Sequence, residues 1–536
     1  MSRMHAFTPR ADSPERRLQL GDKYRNGVPA TGLMLLAVVT VIVQFAWVGR
    51  AGFNLWDEGF LWYGAQRVML GEVPIRDFMA YDPGRYYWSA VLMSLAGDNG
   101  ILSLRAAIAV FQVMGMFLAL LMVSRASRRP DFLLIAIAVG VFVLWMYPRH
   151  KLFDITLSIV LVGALMYVAE RPSVRRCFLA GVVVGLVAFF GRNHGFYGAV
   201  GSAAALSYFI YVEREIDSPV STFGWWIVGI GVGYVPLILM LALIPGFAEA
   251  FIESVRFLFE VKATNLPLPV PWPWSASFDK LSWLESLRGI LIGSFFIAVL
   301  AFGVIGLIFL FGVGRRGDRP SPIVTASIFM ALPYAHYAFS RADVDHLAQG
   351  IFPFLIGMFG LFSKSEVRFR NIFALALLVA SALVMLPLHS SRQMAVKDWV
   401  EATVGKDRLK VEPAVFKDLA LLERLSNVYS PERQTFIAAP FWPGAYAVLE
   451  RKAPMWEIYA LFPRSAEFQL AEIERIKRAD PKWAIIMDIP LDGRDDLRFK
   501  NTHPILDKYI RDNFLPVSGM STTNSLRIYE SRKSVE

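Results

Sequence analysis

The 536-residue chain is long enough for roughly three or four soluble domains, but 55% of its residues are apolar, only 19% are charged, and its mean hydropathy is +0.44, which places it in the membrane class. A single cysteine, Cys177, excludes an intrachain disulfide framework or a thiolate metal cluster. The net charge of +10 is spread over short loops between apolar runs and forms no single stripe, which argues for membrane orientation and against nucleic acid.

Residues 1–30 are polar and basic and read as a cytoplasmic tail, and the run after them is long enough to be a retained helix, not a cleaved signal peptide. Candidate spans follow at 31–49, 101–123, 131–147, 152–169, 177–191, 196–212, 223–245, 287–313, 320–339, 346–362 and 371–388, giving about eleven transmembrane helices. With the N-terminus inside, four basic loops also fall inside: Ser124–Pro130 (Arg125, Arg128, Arg129), Glu170–Arg176, Gly314–Pro320 (Arg315, Arg316, Arg319) and Lys364–Arg370. The expected organisation is a membrane domain over 31–388 and a small C-terminal α/β domain over 389–536. That domain and the loops 50–100 and 246–286 would lie on the outer, periplasmic face of a bacterial inner membrane.

In the first outer loop, Trp56–Leu70 has helical periodicity and Arg85–Leu95 is an aromatic run too short to span, so both suit interfacial helices. The second outer loop carries Pro267, Pro269, Pro271, Trp272, Pro273 and Trp274, which is no regular helix and suits either a lid over a lipid-facing cleft or an interfacial aromatic belt. Past 389, Arg433–Ala439 and Trp483–Asp488 read as short buried strands, with an amphipathic helix Ser465–Arg478 between them.

The most informative motifs lie in the first outer loop: Asn54-Leu55-Trp56-Asp57-Glu58-Gly59, then Gly71-Glu72-Val73-Pro74-Ile75-Arg76-Asp77-Phe78, then Tyr81-Asp82-Pro83-Gly84-Arg85-Tyr86-Tyr87. An Asp-Glu pair after helix one, a Gly-x-x-Pro-x-x-Asp-Phe turn and a Pro-Gly-x-Tyr-Tyr segment, in that order, resemble the GT-C glycosyltransferases. The nearest branch is the family 39-like group of protein O-mannosyltransferases, lipid A aminoarabinose transferases and polyprenyl-phosphate-dependent core glycosyltransferases. The motif match covers about the first hundred residues; helix number, topology and the C-terminal domain agree in outline.

The resemblance implies transfer of a sugar from a polyprenyl-phosphate donor to a lipopolysaccharide, lipid A, cell-wall or protein acceptor, with Asp57 as general base and inversion at the anomeric carbon. Glu58, about 100° round a helix from Asp57, would orient a neighbour instead of sharing the proton; the alternative for the pair is an acidic helix N-terminus. A departing phosphate needs cations. Arg76, Arg85, Arg149, His150, Lys151, Arg192, His194, Arg341 and His346 fall at outer helix ends, and Asp82 and Asp154 join them as polar groups for the substrate. By analogy within the superfamily, Arg341 would meet the carrier's phosphate, while Asp343, Asp345 and His346 would hold an acceptor or a divalent cation. No motif demands a cofactor. His336, Trp145, Trp225 and Trp226 read as packing or belt residues, Pro440–Tyr446 as a turn with packing aromatics, and Asp492–Asp496 as a solvated turn. The rival classes are a transporter or lipid-linked sugar flippase and a non-catalytic membrane scaffold.

Overall fold

The protein is described by a computed structural model that covers residues 28–127, 130–216, 218–262, 265–276, 282–315, 320–517, 519 and 525–532. The expected N-terminal tail up to residue 27, Arg128, Arg129, Arg316 and Arg319, and the side chain of Arg315, lie outside the described residues.

Each of the eleven apolar runs holds a helix. These are α1 (Ala30–Val48), α4 (Ile101–Ala126), α5 (Phe132–Trp145), α6 (Leu152–Glu170), α7 (Val174–Phe190), α8 (Arg192–Tyr211), the pair α9 (Pro219–Gly233) and α10 (Val235–Leu243), α12 (Trp283–Arg315), α13 (Pro322–Ser340), the pair α14 (Val344–Gly350) and α15 (Phe352–Phe362), and α16 (Val367–Met385). Among the described residues six helices are long and apolar enough to cross a bilayer, or eight if each bent pair is one span. This is a mostly helical, multi-pass architecture. Several of these helices carry apolar side chains outward as well as inward: Leu35, Ile42 and Trp47 on α1 and Ile305 and Ile308 on α12 are exposed, which is stable against hydrocarbon and costly against water.

The first outer loop contributes α2 (Asp57–Met69) and α3 (Pro83–Leu95). Both are more buried than an interfacial position would require: α2 buries Glu58 through Gln66 without interruption. The reason is the chain beyond Leu388, which closes over them. It contains α17 (Ser390–Val396), the antiparallel hairpin β1 (Val400–Val404) and β2 (Asp407–Val411), α18 (Pro413–Tyr429), β3 (Ile437–Ala439), α19 (Pro443–Val448), α20 (Ala466–Ala479), β4 (Trp483–Met487), α21 (Phe499–Thr502), α22 (Pro504–Asn513), β5 (Phe514–Pro516) and β6 (Leu526–Ser531). The four-stranded sheet runs β3-β4-β6-β5, with β3 parallel to β4 and the other pairs antiparallel. Trp483–Met487 is buried at every position, as a strand covered on both faces must be, and Ser465 caps α20 through the amide of Phe468.

The two expected parts share one core. Leu33 of α1, Trp62 of α2, Val404 of β1 and Trp483 of β4 belong to the same cluster of buried side chains. Backbone hydrogen bonds make the join, with the Lys410 amide donating to Arg50 at 2.8 Å. The Gly52 amide donates to Lys410 at 2.8 Å, the Gly444 amide donates to Leu55 at 2.9 Å, and the Met79 amide donates to Trp456 at 2.9 Å. A Cβ on Gly59 would lie 2.4 Å from the Cα of Gly444, so α2 and α19 approach as only glycine allows.

The second outer loop begins with α11 (Phe247–Val261). Its proline–tryptophan stretch forms an irregular strap ending in a short 3-10 turn at Pro273–Ser275, with Trp272 stacked on Trp274 at 5.3 Å. The strap lies against α12 where Gly293 leaves room for it. Residues 263–264 and 277–281 of this loop are outside the described residues.

Candidate active site

The turn between α1 and α2 creates the site. Asn54 accepts hydrogen bonds from the amides of Trp56 and Asp57 at 2.7 and 3.1 Å, turning the chain so that α2 starts on two carboxylates. Arginines from two elements then hold the turn. Arg105 of α4, fully buried, donates from Nη1 to the Gly49 carbonyl at 2.7 Å and from Nη2 to the Gly52 carbonyl at 2.6 Å. It also forks Glu58, with Nε and Nη2 both 2.8 Å from the carboxylate oxygens. Arg149 adds a bond to the Val48 carbonyl at 2.8 Å and stands 3.5 Å from Glu58. Both arginines thus sit where the C-terminal carbonyls of α1 favour cations. Burial opposes the Glu58 charge, but Arg105 and then Arg149 outweigh it and hold the carboxyl down to about 2.

Asp57 is treated differently. Its side chain is 35% exposed, and among the described residues no arginine or lysine stands within ion-pair distance. Its neighbours are His150 Nε2 at 3.9 Å and the Tyr459 hydroxyl, which donates at 3.5 Å. Burial and the nearby Asp57 charge push the Tyr459 phenol well above its ordinary range, so it stays a donor at working pH. Two adjacent carboxylates therefore have two fates: one is saturated by arginine, and the other is left open.

Asp57 opens onto a cavity of about 500 Å³, within the size range of sites that take small organic ligands. Its walls come from the end of α1, the Ala51–Leu55 turn, Arg105 and Gln112 of α4, the segment Met146–His150, Asp345 of α14, and the later chain through His389, Gln393, Trp399, Glu412, Asp418 and Trp442. Burial pushes Asp418 up to about 6. Of the residues singled out from the sequence, Asp57, Glu58, Arg149, His150 and Asp345 line this cavity.

The others form pairs beside it. Arg85 donates to Asp154 at 3.0 Å, and Asp154 also bonds His194 at 2.8 Å, which in turn meets the Tyr334 hydroxyl at 2.8 Å. Lys151 donates to the Tyr81 hydroxyl at 3.1 Å, Arg192 pairs with Asp82 at 2.6 Å, and Arg76 pairs with Asp77 at 2.8 Å. The Arg85–Asp154–His194 group is buried and satisfies its own charge, the Arg192–Asp82 and Arg76–Asp77 pairs are partly exposed, and Lys151 meets a neutral phenol that leaves its charge uncompensated.

Arg341 is engaged within the protein. It was expected at the carrier's phosphate, yet Nη1 and Nη2 fork Asp492 at 2.6 and 2.8 Å, Nε meets Asp343 at 3.0 Å, and Nη1 also meets the Leu266 carbonyl at 3.0 Å. The Asp492 turn is accordingly not merely solvated; it is the far end of a tether to α13. Asp343 in turn caps α14 and bonds His346 Nδ1 at 2.8 Å. That uses the acceptors an ion would want, and no group of three His, Cys, Asp or Glu side chains among the described residues is arranged to hold a metal.

Sequence reasoning missed Arg105, His389 and Trp399. An arginine within an apolar run was a usable signal for Arg105. The other two enter through the fold of the chain after Leu388, which carries no motif. In the Pro440–Tyr446 turn the aromatics divide: Phe441 stacks on Trp56 at 4.8 Å, and Trp442 lines the cavity.

No family model matches this chain, and no curated protein matches its sequence. Its structural neighbours are GT-C membrane glycosyltransferases. ArnT from Cupriavidus metallidurans bound to undecaprenyl phosphate is 12% identical, with a TM-score of 0.48 over 94% of this chain and 98% of that one. The Archaeoglobus fulgidus oligosaccharyltransferase in the apo form is 12% identical, with a TM-score of 0.45 over 91% of this chain and 73% of that one. The archaeal oligosaccharyltransferase AglB from Archaeoglobus fulgidus in complex with an inhibitory peptide and a dolichol-phosphate has a TM-score of 0.45 at 12% identity, over 95% and 75%. At these values the chemistry rests on the side chains described above.

Proposed function

We propose that this chain is a membrane glycosyltransferase that moves a sugar from a polyprenyl-phosphate donor to a hydroxyl on a cell-envelope acceptor, with Asp57 as the general base. The observation that carries this reading is the unequal pair at the head of α2: Glu58 is neutralised by two arginines while Asp57 faces a cavity of about 500 Å³ without one. A carboxylate so placed takes the proton of an incoming hydroxyl as its oxygen bonds to the anomeric carbon and the bond to the carrier's phosphate breaks. The departing phosphate keeps the electron pair and a growing negative charge, for which Arg149 and His150 on the same wall supply donors. One displacement of this kind inverts the anomeric centre. The donor's hydrocarbon tail stays with the exposed apolar helix faces, and selectivity comes from the polar groups at the cavity. In this reading residues 31–388 form the membrane domain of a bacterial inner-membrane protein, and the chain from 389 onward lies with the cavity on the outer face.

The test is transfer by the purified chain in nanodiscs from a labelled polyprenyl-phosphate sugar to a cell-envelope extract. A new glycosidic mass on the acceptor supports transfer. Movement of label between leaflets with unchanged linkage indicates a flippase, and neither outcome indicates a scaffold. Mass analysis of envelope glycans from a deletion strain then names sugar and acceptor together.

A further inference from the structure

A second cavity, of about 650 Å³, lies apart from the first. It is bounded by Asp77 of the first outer loop, by the segment Arg433–Thr435, by Glu450–Trp456, and by Arg475, Arg478 and Ala479 at the end of α20. Five cationic side chains face two carboxylates there. The imbalance is larger than those numbers suggest. Asp77 is already held by Arg76 and by the Val73 amide, and Glu450 is shared between Arg433 at 3.4 Å and the Asn99 amide at 3.1 Å. Arg475 pairs with Glu472, and Lys452 pairs with Glu72 at 2.7 Å. Among the described residues Arg451 and Arg478 meet only backbone carbonyls, those of Leu449 at 2.8 Å and Glu474 at 3.2 Å, and Nε of Arg451 is buried with no partner. Burial and the like charge of Arg433 push the Arg451 pKa down, and Glu450 offsets this only in part.

The cavity also has an apolar side. Ala453, Pro454, Met455 and Trp456 line it, and the Trp456 indole is fixed in place because its N–H donates to the Ile75 carbonyl at 2.8 Å. An aromatic plane beside unpaired guanidinium groups suits a ligand that has both a ring face and an anionic substituent.

We infer that this cavity is a binding site for a phosphorylated saccharide, with Arg451 and Arg478 on the phosphoryl group and the sugar against Trp456. The site stands whether or not Asp57 is a base. Its position has meaning if the chain is a transferase, because the segment that begins in this cavity at Ala453 ends six residues later at Tyr459, against Asp57. An extended anionic acceptor held here presents another part of itself toward the first cavity.

The probe is glucose 6-phosphate, titrated onto the full chain in phosphatidylcholine nanodiscs at low salt, with glucose and inorganic phosphate as comparators. Binding of glucose 6-phosphate tighter than either comparator is expected. Arg451→Ala and Arg478→Ala should each weaken it about tenfold, the equivalent of one charge-assisted hydrogen bond. Arg478 is exposed, so its substitution tests the site without threatening the fold, and Trp456→Phe should weaken glucose 6-phosphate but not inorganic phosphate. Phosphate binding as tightly as glucose 6-phosphate overturns the saccharide part. Affinity unchanged in Arg478→Ala, or no binding at all, overturns the site. Loss of glucose 6-phosphate binding when phosphatidylglycerol replaces phosphatidylcholine shows that a lipid headgroup occupies the cavity and also overturns the proposal. Each readout is independent of sugar transfer.

Discussion

Replacing Asp57 with asparagine is the sharpest perturbation the site offers. The amide keeps the size of the carboxylate and an oxygen for the Tyr459 hydroxyl, which stands at 3.5 Å, but it has no basic electron pair for the acceptor's proton. Loss of a positioned base costs on the order of 10²–10⁴ in turnover. The structural cost is small by comparison. Asp57 is in the first turn of α2, where a carboxylate contributes roughly 0.3–1 kcal/mol through the helix dipole, and no ion pair with arginine or lysine is broken. The variant should therefore insert, purify and melt like the wild type, and should bind a polyprenyl-phosphate sugar normally. Transfer, measured by mass of the glycosylated acceptor under single-turnover conditions, should fall at least a hundredfold. Turnover within about threefold of wild type, with intact folding, would refute the reasoning, because the cavity would then have no use for the Asp57 carboxylate as a base.

The neighbouring change should behave in the opposite way. Glu58→Gln leaves Arg105 buried with its charge uncompensated, at about 3–5 kcal/mol, so expression and melting temperature should drop before any kinetic effect is seen. The same carboxyl is held at about 2 against an ordinary 4.5, so it adds about 3 kcal/mol to the folded state above pH 4.5, and that stability drains away as pH falls from 4.5 toward 2. The Tm of the wild type should fall across that window, and that of Glu58→Gln should fall less. Tyr459→Phe removes the hydroxyl that donates to Asp57 and should lower kcat a few-fold with folding intact; an unchanged kcat counts against the contact. Asp492→Ala frees Arg341 from a forked pair worth about 1 kcal/mol, and hydrogen exchange at Leu491–Gly493 should speed up while donor affinity holds.

The helices were legible because lipid imposes a simple grammar: long apolar runs with breaks at charges and prolines. The eleven runs all became helices, and even the bends at Tyr234 and Ile351 fall inside runs read as single spans. The Asp57-Glu58 pair was legible because carboxylates next to a span need a reason. The partners were not. Nothing in a linear reading tells that Arg105 claims Glu58, that Asp154 claims Arg85, or that Asp492, far along the chain, claims Arg341. Charge pairing in a buried network is decided by tertiary packing, and the sequence lists candidates without saying which satisfy one another. The β1–β2 hairpin was missed for a related reason. Val400–Val404 and Arg408–Val411 do alternate apolar and polar residues around Gly405, but the strands are short and the edge finds its partner in Arg50 and Gly52, on the other side of the primary structure.

The backbone bonds that join Gly52 to Lys410, Leu55 to Gly444 and Met79 to Trp456 carry an implication for biogenesis. A ribosome makes the Asp57 turn early, the wall from Arg105 to His150 next, and Asp345 and the wall from His389 to Trp442 much later. Until then the open carboxylate has no Tyr459, no Trp442 and no Trp399 around it. The surroundings of Asp57 are thus complete only once the chain through Tyr459 has been made. Tagging or truncating the carboxyl end inside that wall should abolish function as surely as removing the aspartate.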